Sequence, residues 1–397
     1  MSNQAEMPMP SSKIVVVGVG GGGGNAVNRM VETKFAGVDF IAINTDLQDL
    51  HKSRAPFRIQ IGEKLTQGLG AGANPDVGQR AAEESKEVIK RYLQNANLVI
   101  ITAGMGKGTG TGASPVVASI AKELGKLVVA VVTKPFYLEG KHRIVNAEIG
   151  IENLSKVVDS YIVVSNENLI ALSNHATIAE AFSYADGVLR QCILGISDVI
   201  LNTQTLNIDF ADLCTVLRGM GRAYLGIGSG SGENRVMTAV REAVGIRLQD
   251  TKISNASSVM LYVKVKRDVT LEEIDRAAVL VREVVNKDAN IIFGFDFRDD
   301  LPHEVEIMII ATGFNVGSGA GPAAAQKIKA AQPQATHNEQ APDPRQQQPR
   351  AMQSEPAAPQ YSSSVRSSRI SVDDEDDDDD VPAWLKETRN NRRNRDR

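Results

Sequence analysis

KIVVVGVGGGGGNAVNRMVET (residues 13–33) joins a β-branched run to a glycine cluster and then to a segment with apolar residues at helical spacing. Residues 13–17 predict a strand, 18–24 a tight glycine turn, and 25–33 a helix with Val27, Met30 and Val31 on one side. Strand, turn and helix in that order form the opening unit of an α/β domain. VDFIAINTD (38–46) supplies the next strand, ANLVIITAGMG (96–106) another, SPVVASIAKELG (114–125) a helix and LVVAVVTKP (127–135) a further strand. Continuous apolar strands alternating with helices predict a parallel sheet covered on both faces. Such sheets take ligands at the C-terminal ends of their strands, where both glycine segments fall.

The first glycine run contains G-x-G-x-x-G at Gly18, Gly20 and Gly23. Between strand and helix, that pattern suits a phosphate: backbone N–H groups and the helix N-terminus favour negative charge. The pattern is shared with dinucleotide-binding enzymes, and a packing turn without a ligand would look the same. The second run, GMGKGTGTG (104–112), invites a P-loop reading through its Gly106-Lys107 pair. It fails that test, because a P-loop lysine is followed by Ser or Thr, and here Gly108 follows. What remains is a second backbone cradle, with the Thr109 and Thr111 hydroxyls available to phosphate oxygens. Two cradles in one α/β domain predict a polyphosphate held from two sides.

The whole chain has 397 residues, more than one core usually supports, so two domains are expected. Residues 176–201 keep apolar residues at helical spacing for some seven turns, through Phe182, Val188, Leu189, Ile193, Ile196 and Ile200, and suit a helix joining the two. A second unit over 213–315 offers three strands, at 258–266, 290–297 and 304–313, with a helix between the first two, and predicts a smaller α+β domain. Residues 316–372 are rich in Ala, Gln, Pro and Ser and nearly lack large aliphatics, which predicts a disordered tether. An acidic block (373–380) follows and then VPAWLKETRNNRRNRDR (381–397), whose Val381, Trp384 and Leu385 would share one side of a short docking helix.

A net charge of -4 gives no sign of nucleic-acid affinity. No secretory signal and no apolar run near the ~20 residues of a membrane span is evident. Cys192 and Cys214 are too few for a disulfide framework, which fits a reduced cytoplasm, and the five histidines lack ligand spacing, so no protein metal site is assigned.

GVGGGGGNA (18–26), GLGAGANP (68–75), GMGKGTGTGASPVVA (104–118), TKPFYLEGKHR (133–143) and NIDFAD (207–212), in that order, closely resemble the FtsZ family, the bacterial homologues of tubulin. The resemblance spans residues 13–315 and reappears in DVPAWLK near the C-terminus. It implies a Rossmann-like GTP-binding domain over 13–175, preceded by an arm over 1–12. A central helix (176–201), a catalytic loop (202–212), a C-terminal α+β domain (213–315), a linker (316–380) and a partner-docking tail (381–397) complete the chain. The implied GTP contacts are Gly21, Gly22, Gly23, Gly24, Asn25, Gly108, Thr109 and Gly110 around the phosphates, and Glu139 and Arg143 at ribose and phosphates. Asn166 and Asp186 are implied near the sugar and base. A carboxylate at Asp186 is apt, since it can accept two N–H bonds from guanine that adenine cannot offer.

Asp209 and Asp212, assisted by Asn207, are implied to act on the attacking water after entering the pocket of the next subunit. A bland reading makes Asp212 the N-cap of a helix starting near Leu213. The resemblance further implies Mg²⁺ held mainly by the GTP phosphates and a head-to-tail homopolymer forming a division ring. It implies a cytoplasmic, mid-cell location beneath the inner membrane, and tail contacts to membrane-tethering division proteins and assembly regulators. The chain departs from the family at Lys107, where glycine is usual. A left-handed backbone there would carry a strained lysine; the favoured reading instead has the side chain project along the pocket rim and add positive charge, and a silent surface substitution and a slowed GTPase are the other readings. A GTP-binding filament protein with weak turnover and an NAD-dependent oxidoreductase built on the first glycine run are the alternatives.

Overall fold

The computed structural model describes residues 12–32, 37–168, 177–201, 206, 208–245, 249, 251 and 253–314. Asn207, the linker, the tail and residues 1–11 of the arm lie outside them. Strands β1 (Ile14–Val19), β2 (Val38–Asn44), β3 (Phe57–Gln60), β4 (Leu98–Gly104), β5 (Leu127–Lys134), β6 (Ser160–Ser165) and β7 (Gly221–Arg222) form one parallel sheet in the order β3-β2-β1-β4-β5-β6-β7. Helices α1 (Gly20–Glu32), α2 (Leu47–His51), α3 (Glu63–Thr66), α4 (Pro75–Glu84), α5 (Lys86–Leu93), α6 (Thr109–Glu123) and α7 (Lys141–Ser155) connect its strands.

The unbroken apolar character of β1 follows from two-sided burial. Ile14 and Val16 pack into a core with Val27 and Met30 of α1, while Val15 and Val17 pack with Ile89, Val117 and Ala147 on the opposite face. Each such side chain contributes roughly 1.5–3 kcal/mol when fully buried, which is why β1 has no polar alternation.

Helix α8 (Ile178–Leu201) follows, and then α9 (Phe210–Leu217), β8 (Tyr224–Gly230), α10 (Arg235–Gly245), β9 (Ser258–Val265), α11 (Leu271–Val284), β10 (Asn290–Phe297) and β11 (Val305–Thr312). The last four strands form a mixed sheet in the order β10-β9-β11-β8. Helix α8 serves both sheets: its Ile193 and Ile196 share one core with Val129 of the first sheet and with Ile227, Met260 and Met308 of the second. Gly195 leaves room for Met308, whose sulfur would lie 2.7 Å from a Cβ there. Charges reinforce the junction, with Asp198 of α8 receiving Lys264 Nζ at 2.6 Å and Arg298 Nη2 at 3.4 Å, while Lys264 also meets Glu306 at 2.8 Å.

Two differences from the sequence expectation bear on the site. Helix α1 begins at Gly20 rather than Asn25, and α6 at Thr109 rather than Ser114, so Gly20–Gly24 and Thr109–Gly112 are helical first turns rather than loop, while residues 105–108 form the turn between β4 and α6. The second domain's sheet has four strands, not three. The fourth, β8, reads YLGIGSG, and its glycines argue locally against a strand. They are required by packing, since a Cβ on Gly226, Gly228 or Gly230 would overlap the Ala243, Ala239 or Arg235 carbonyl of α10.

Candidate nucleotide-binding site

Strand β1 lies between β2 and β4, so chain order reverses across it, and a crevice opens at the C-terminal ends of these strands. The N-termini of α1 and α6 meet there. Gly20 has φ 69°, and a Cβ on it would stand 2.8 Å from the Gly110 nitrogen, so only glycine lets the two helix starts approach this closely. Gly21, Gly22, Thr109 and Gly110 of the two first turns, whose N–H groups have no partner within their own helices, line a cleft of about 570 Å³.

Of the expected contacts, Gly21, Gly22, Asn25, Gly108, Thr109, Gly110, Glu139, Asn166 and Asp186 line this cleft. Gly23, Gly24 and Arg143 do not. A Cβ on Gly23 would overlap the Thr102 carbonyl, so this glycine seats α1 against β4, while Gly24 borders a small adjoining recess with Asn28 and Asp49. Arg143 Nη1 bonds Glu139 Oε2 at 2.7 Å and acts on the cleft through that carboxylate, which also accepts the Phe136 N–H at 3.1 Å.

The threonines behave differently from expectation. Thr109 Oγ1 pairs with Thr45 Oγ1 at 2.7 Å in the cleft wall. Thr111 is not available to a phosphate: it is buried beneath α7, and its hydroxyl accepts the Gly106 N–H at 2.8 Å. It fixes the turn that precedes α6.

At the α8 side, Asp186 Oδ2 pairs with Arg29 Nε at 3.0 Å, and Arg29 Nη1 also donates to Ser183 Oγ at 3.1 Å. Burial pushes the Asp186 carboxyl up to about 6, against the opposing pull of Arg29. Asn166 is 4% exposed, and its Oδ1 is buried without a hydrogen-bond partner. Phe182, 41% exposed, lies edge-on to Phe136 with ring centroids 4.9 Å apart and gives the cleft an apolar surface.

Sequence reasoning missed Arg29, Asp46 and Asp49 and assigned no contact to the 69–73 strap within the GLGAGANP motif, all of which line the cleft. Arg29 lies one helical turn beyond Asn25 on α1, a signal that was present. Ala73 in the strap has φ 59°, a left-handed conformation that costs a non-glycine residue roughly 1–2 kcal/mol and marks a segment held by its surroundings.

Lys107 is not left-handed. The positive φ falls one residue earlier, at Gly106 (104°), where a Cβ would also lie 2.7 Å from the Arg143 carbonyl oxygen. Lys107 is exposed and lines the cleft.

Asp209 and Asp212 do not line the cleft. Helix α9 starts at Phe210, three residues before the expected Leu213, and its N-cap is Asp209, not Asp212. The two carboxylates form a reciprocal capping box, with Asp212 N–H donating to Asp209 Oδ1 at 2.8 Å and Asp209 N–H to Asp212 Oδ2 at 3.2 Å.

A paired set of helix N-termini, a half-buried carboxylate and a buried, unpartnered amide oxygen at a sheet's switch point define a nucleotide-binding α/β protein. The Tubulin/FtsZ family GTPase domain matches residues 13–174, and the FtsZ family C-terminal domain matches residues 221–315. An empty FtsZ dimer from M. jannaschii is 40% identical, with 77% of this chain and 89% of that one covered at a TM-score of 0.73. A GTPgS-bound protofilament of CetZ2 from Haloferax volcanii is 21% identical, covering 75% of this chain and 92% of its own at TM-score 0.66. A GDP-bound CetZ1 monomer from the same organism is 22% identical, covering 76% and 93% at 0.65. The chain belongs to the tubulin/FtsZ family and is a guanine-nucleotide-binding GTPase. Among the described residues no helix is long and apolar enough to cross a membrane.

Proposed function

We propose that this chain hydrolyses GTP between successive copies of itself in a head-to-tail filament, and that the filament serves as a bacterial division ring. The observation that carries this reading is the separation of Asp209 and Asp212 from the cleft. Carboxylates on one surface and a pocket on another, brought together only between copies, make a heterologous contact that propagates as an open filament. Exposed apolar residues support the same geometry. Leu69 (83%), Tyr137 (71%) and Leu138 (67%) belong to the cleft strap and to the turn before α7, while Leu206 (44%), Leu271 (80%) and Phe297 (36%) belong to the mixed-sheet domain that carries Asp209.

In this reading Asp186 accepts the N1 and N2 protons of guanine, and the free Asn166 Oδ1 accepts a further donor from the base or ribose. The Gly21, Gly22 and Gly108–Gly110 N–H groups hold phosphate oxygens, with Thr109 beside them and Asn25 alongside. Glu139, oriented by Arg143, meets the ribose. Gly23 and Gly24 shape the helix start. Asp209 and Asp212, with Asn207, orient and polarise water against the terminal phosphate, where phosphoryl transfer needs mainly positioning and charge stabilisation. Mg²⁺ fits as a companion of the phosphates. It keeps several waters and takes one or two carboxylates, and Asp46 and Asp49 border the cleft. When bound it would neutralise phosphate charge.

The domain limits given from the sequence, the mid-cell location and the tail's division partners belong to the same proposal. The 40% identity to an FtsZ favours division over another tubulin-like task. Phosphate release measured against protein concentration tests the core of it. Rate per subunit rises through a critical concentration if copies complete the site, and a flat profile refutes the shared site.

A further inference from the structure

We propose that Lys107 is a specificity-determining residue of the cleft, one that engages the terminal phosphates and favours a nucleoside triphosphate over the diphosphate. This rests on the guanine-nucleotide reading of the cleft and deepens it. The backbone permits the role because Gly106 carries the left-handed turn, leaving position 107 free to hold a side chain. Gly108 immediately abuts the strap, with a Cβ there lying 2.7 Å from Ala71 Cβ and 2.9 Å from the Asn74 nitrogen. Lys107 therefore stands at the mouth of the phosphate cradle, directly before the N-terminus of α6.

The charge balance of the cleft gives this ammonium unusual weight. Among the described residues, the ionisable side chains lining it are two cations, Arg29 and Lys107, and four carboxylates, Asp46, Asp49, Glu139 and Asp186. Arg29 is already committed to Asp186 at 3.0 Å, and nearby Arg143 to Glu139 at 2.7 Å. Among the described residues Lys107 forms no ion pair, so it is the cleft-lining cation left to meet an incoming anion. A lysine is a compact point charge on a flexible stem, and its attraction scales with the charge it faces. A triphosphate carries one more charge than a diphosphate, so it gains more. An exposed ammonium is also screened by salt, and the preference shrinks as ionic strength rises.

The test uses the full chain below its assembly concentration, with GTPγS and GDP as probes and Lys107→Gln and Lys107→Arg as variants. At about 0.05 M salt, Lys107→Gln is expected to weaken GTPγS about tenfold and GDP about twofold, with the gap closing near about 0.5 M. Lys107→Arg restores the preference. Unchanged affinity, an equal loss for both nucleotides, a salt-independent loss or failure of the arginine rescue would each overturn the assignment. If the unmodified chain bound neither guanine nucleotide, the underlying reading would fall first. Matching thermal unfolding midpoints of the apo variants establish that any loss is not a folding defect.

Discussion

The cleft and the 208–217 segment both carry carboxylates, and the fold treats them in opposite ways. Asp186 is withdrawn into the junction of α1 and α8, paired with Arg29, and its ionisation is opposed by burial. Asp209 is exposed and Asp212 half-buried, and each already accepts a backbone N–H at the start of α9. The first is tuned by tertiary surroundings and the second pair is held by local geometry. On the proposed reading, a base-reading group benefits from a pocket that enforces hydrogen-bond matching, whereas groups that would enter another copy's pocket have to be accessible and rigid beforehand.

The sharpest way to break this comparison is Asp212→Ala. It removes one half of the capping box but leaves the Asp209 cap, so the fold should lose no more than about 1 kcal/mol. Single-turnover and steady-state phosphate release should fall about a hundredfold or more, with GTP affinity within about twofold of the parent. A variant that binds and turns over normally would remove Asp212 from the mechanism.

Gly226→Ala tests whether the mixed sheet is only a carrier. The added methyl overlaps the Ala243 carbonyl, and overpacking of this kind costs roughly 1–3 kcal/mol. A lower unfolding midpoint with unchanged nucleotide affinity is expected. A large affinity loss would show that packing beneath α10 reaches the cleft.

The smallest effect concerns pH. Asp186 is raised to about 6 in the fold, so the folded state binds more protons than the unfolded one between its ordinary value and 6. Its contribution to apoprotein stability is therefore greatest at low pH and declines as pH rises through 6. Nucleotide affinity runs the other way: protonation removes the acceptor, and affinity should fall about tenfold per pH unit below 6. Asp186→Asn should bind more weakly at neutral pH and lose that break, as titration with a fluorescent guanine nucleotide would reveal.

Much of the architecture was legible in local pattern. The strand predicted over 290–297 is β10 itself, and the helix predicted between the strands at 258–266 and 290–297 is α11, opened by the Thr270–Glu273 capping box. The alternation of apolar strands with helices gave the parallel sheet, and the glycine segments pointed to its ligand-binding end. These features depend on neighbours a few residues apart, and so they survive in one dimension.

Other features rest on groups distant in the chain. Gly226, Gly228 and Gly230 look like strand breakers until α10 lies across them. The glycine runs look like loops until α1 and α6 meet at Gly20 and Gly110. Thr111 looks like a phosphate ligand until Gly106 claims its hydroxyl, and Lys107 looks strained until the left-handed turn falls on Gly106. The sequence by itself determined the fold class, because periodicity is local, and the order of its motifs carried the family resemblance that pointed to residues such as Gly21, Thr109 and Asp186, which line the cleft. Only the tertiary structure decided which glycines bear packing, which carboxylate is partly withdrawn from water and which cation among the described residues faces the cleft unpaired, because close approach and desolvation arise only when remote segments meet.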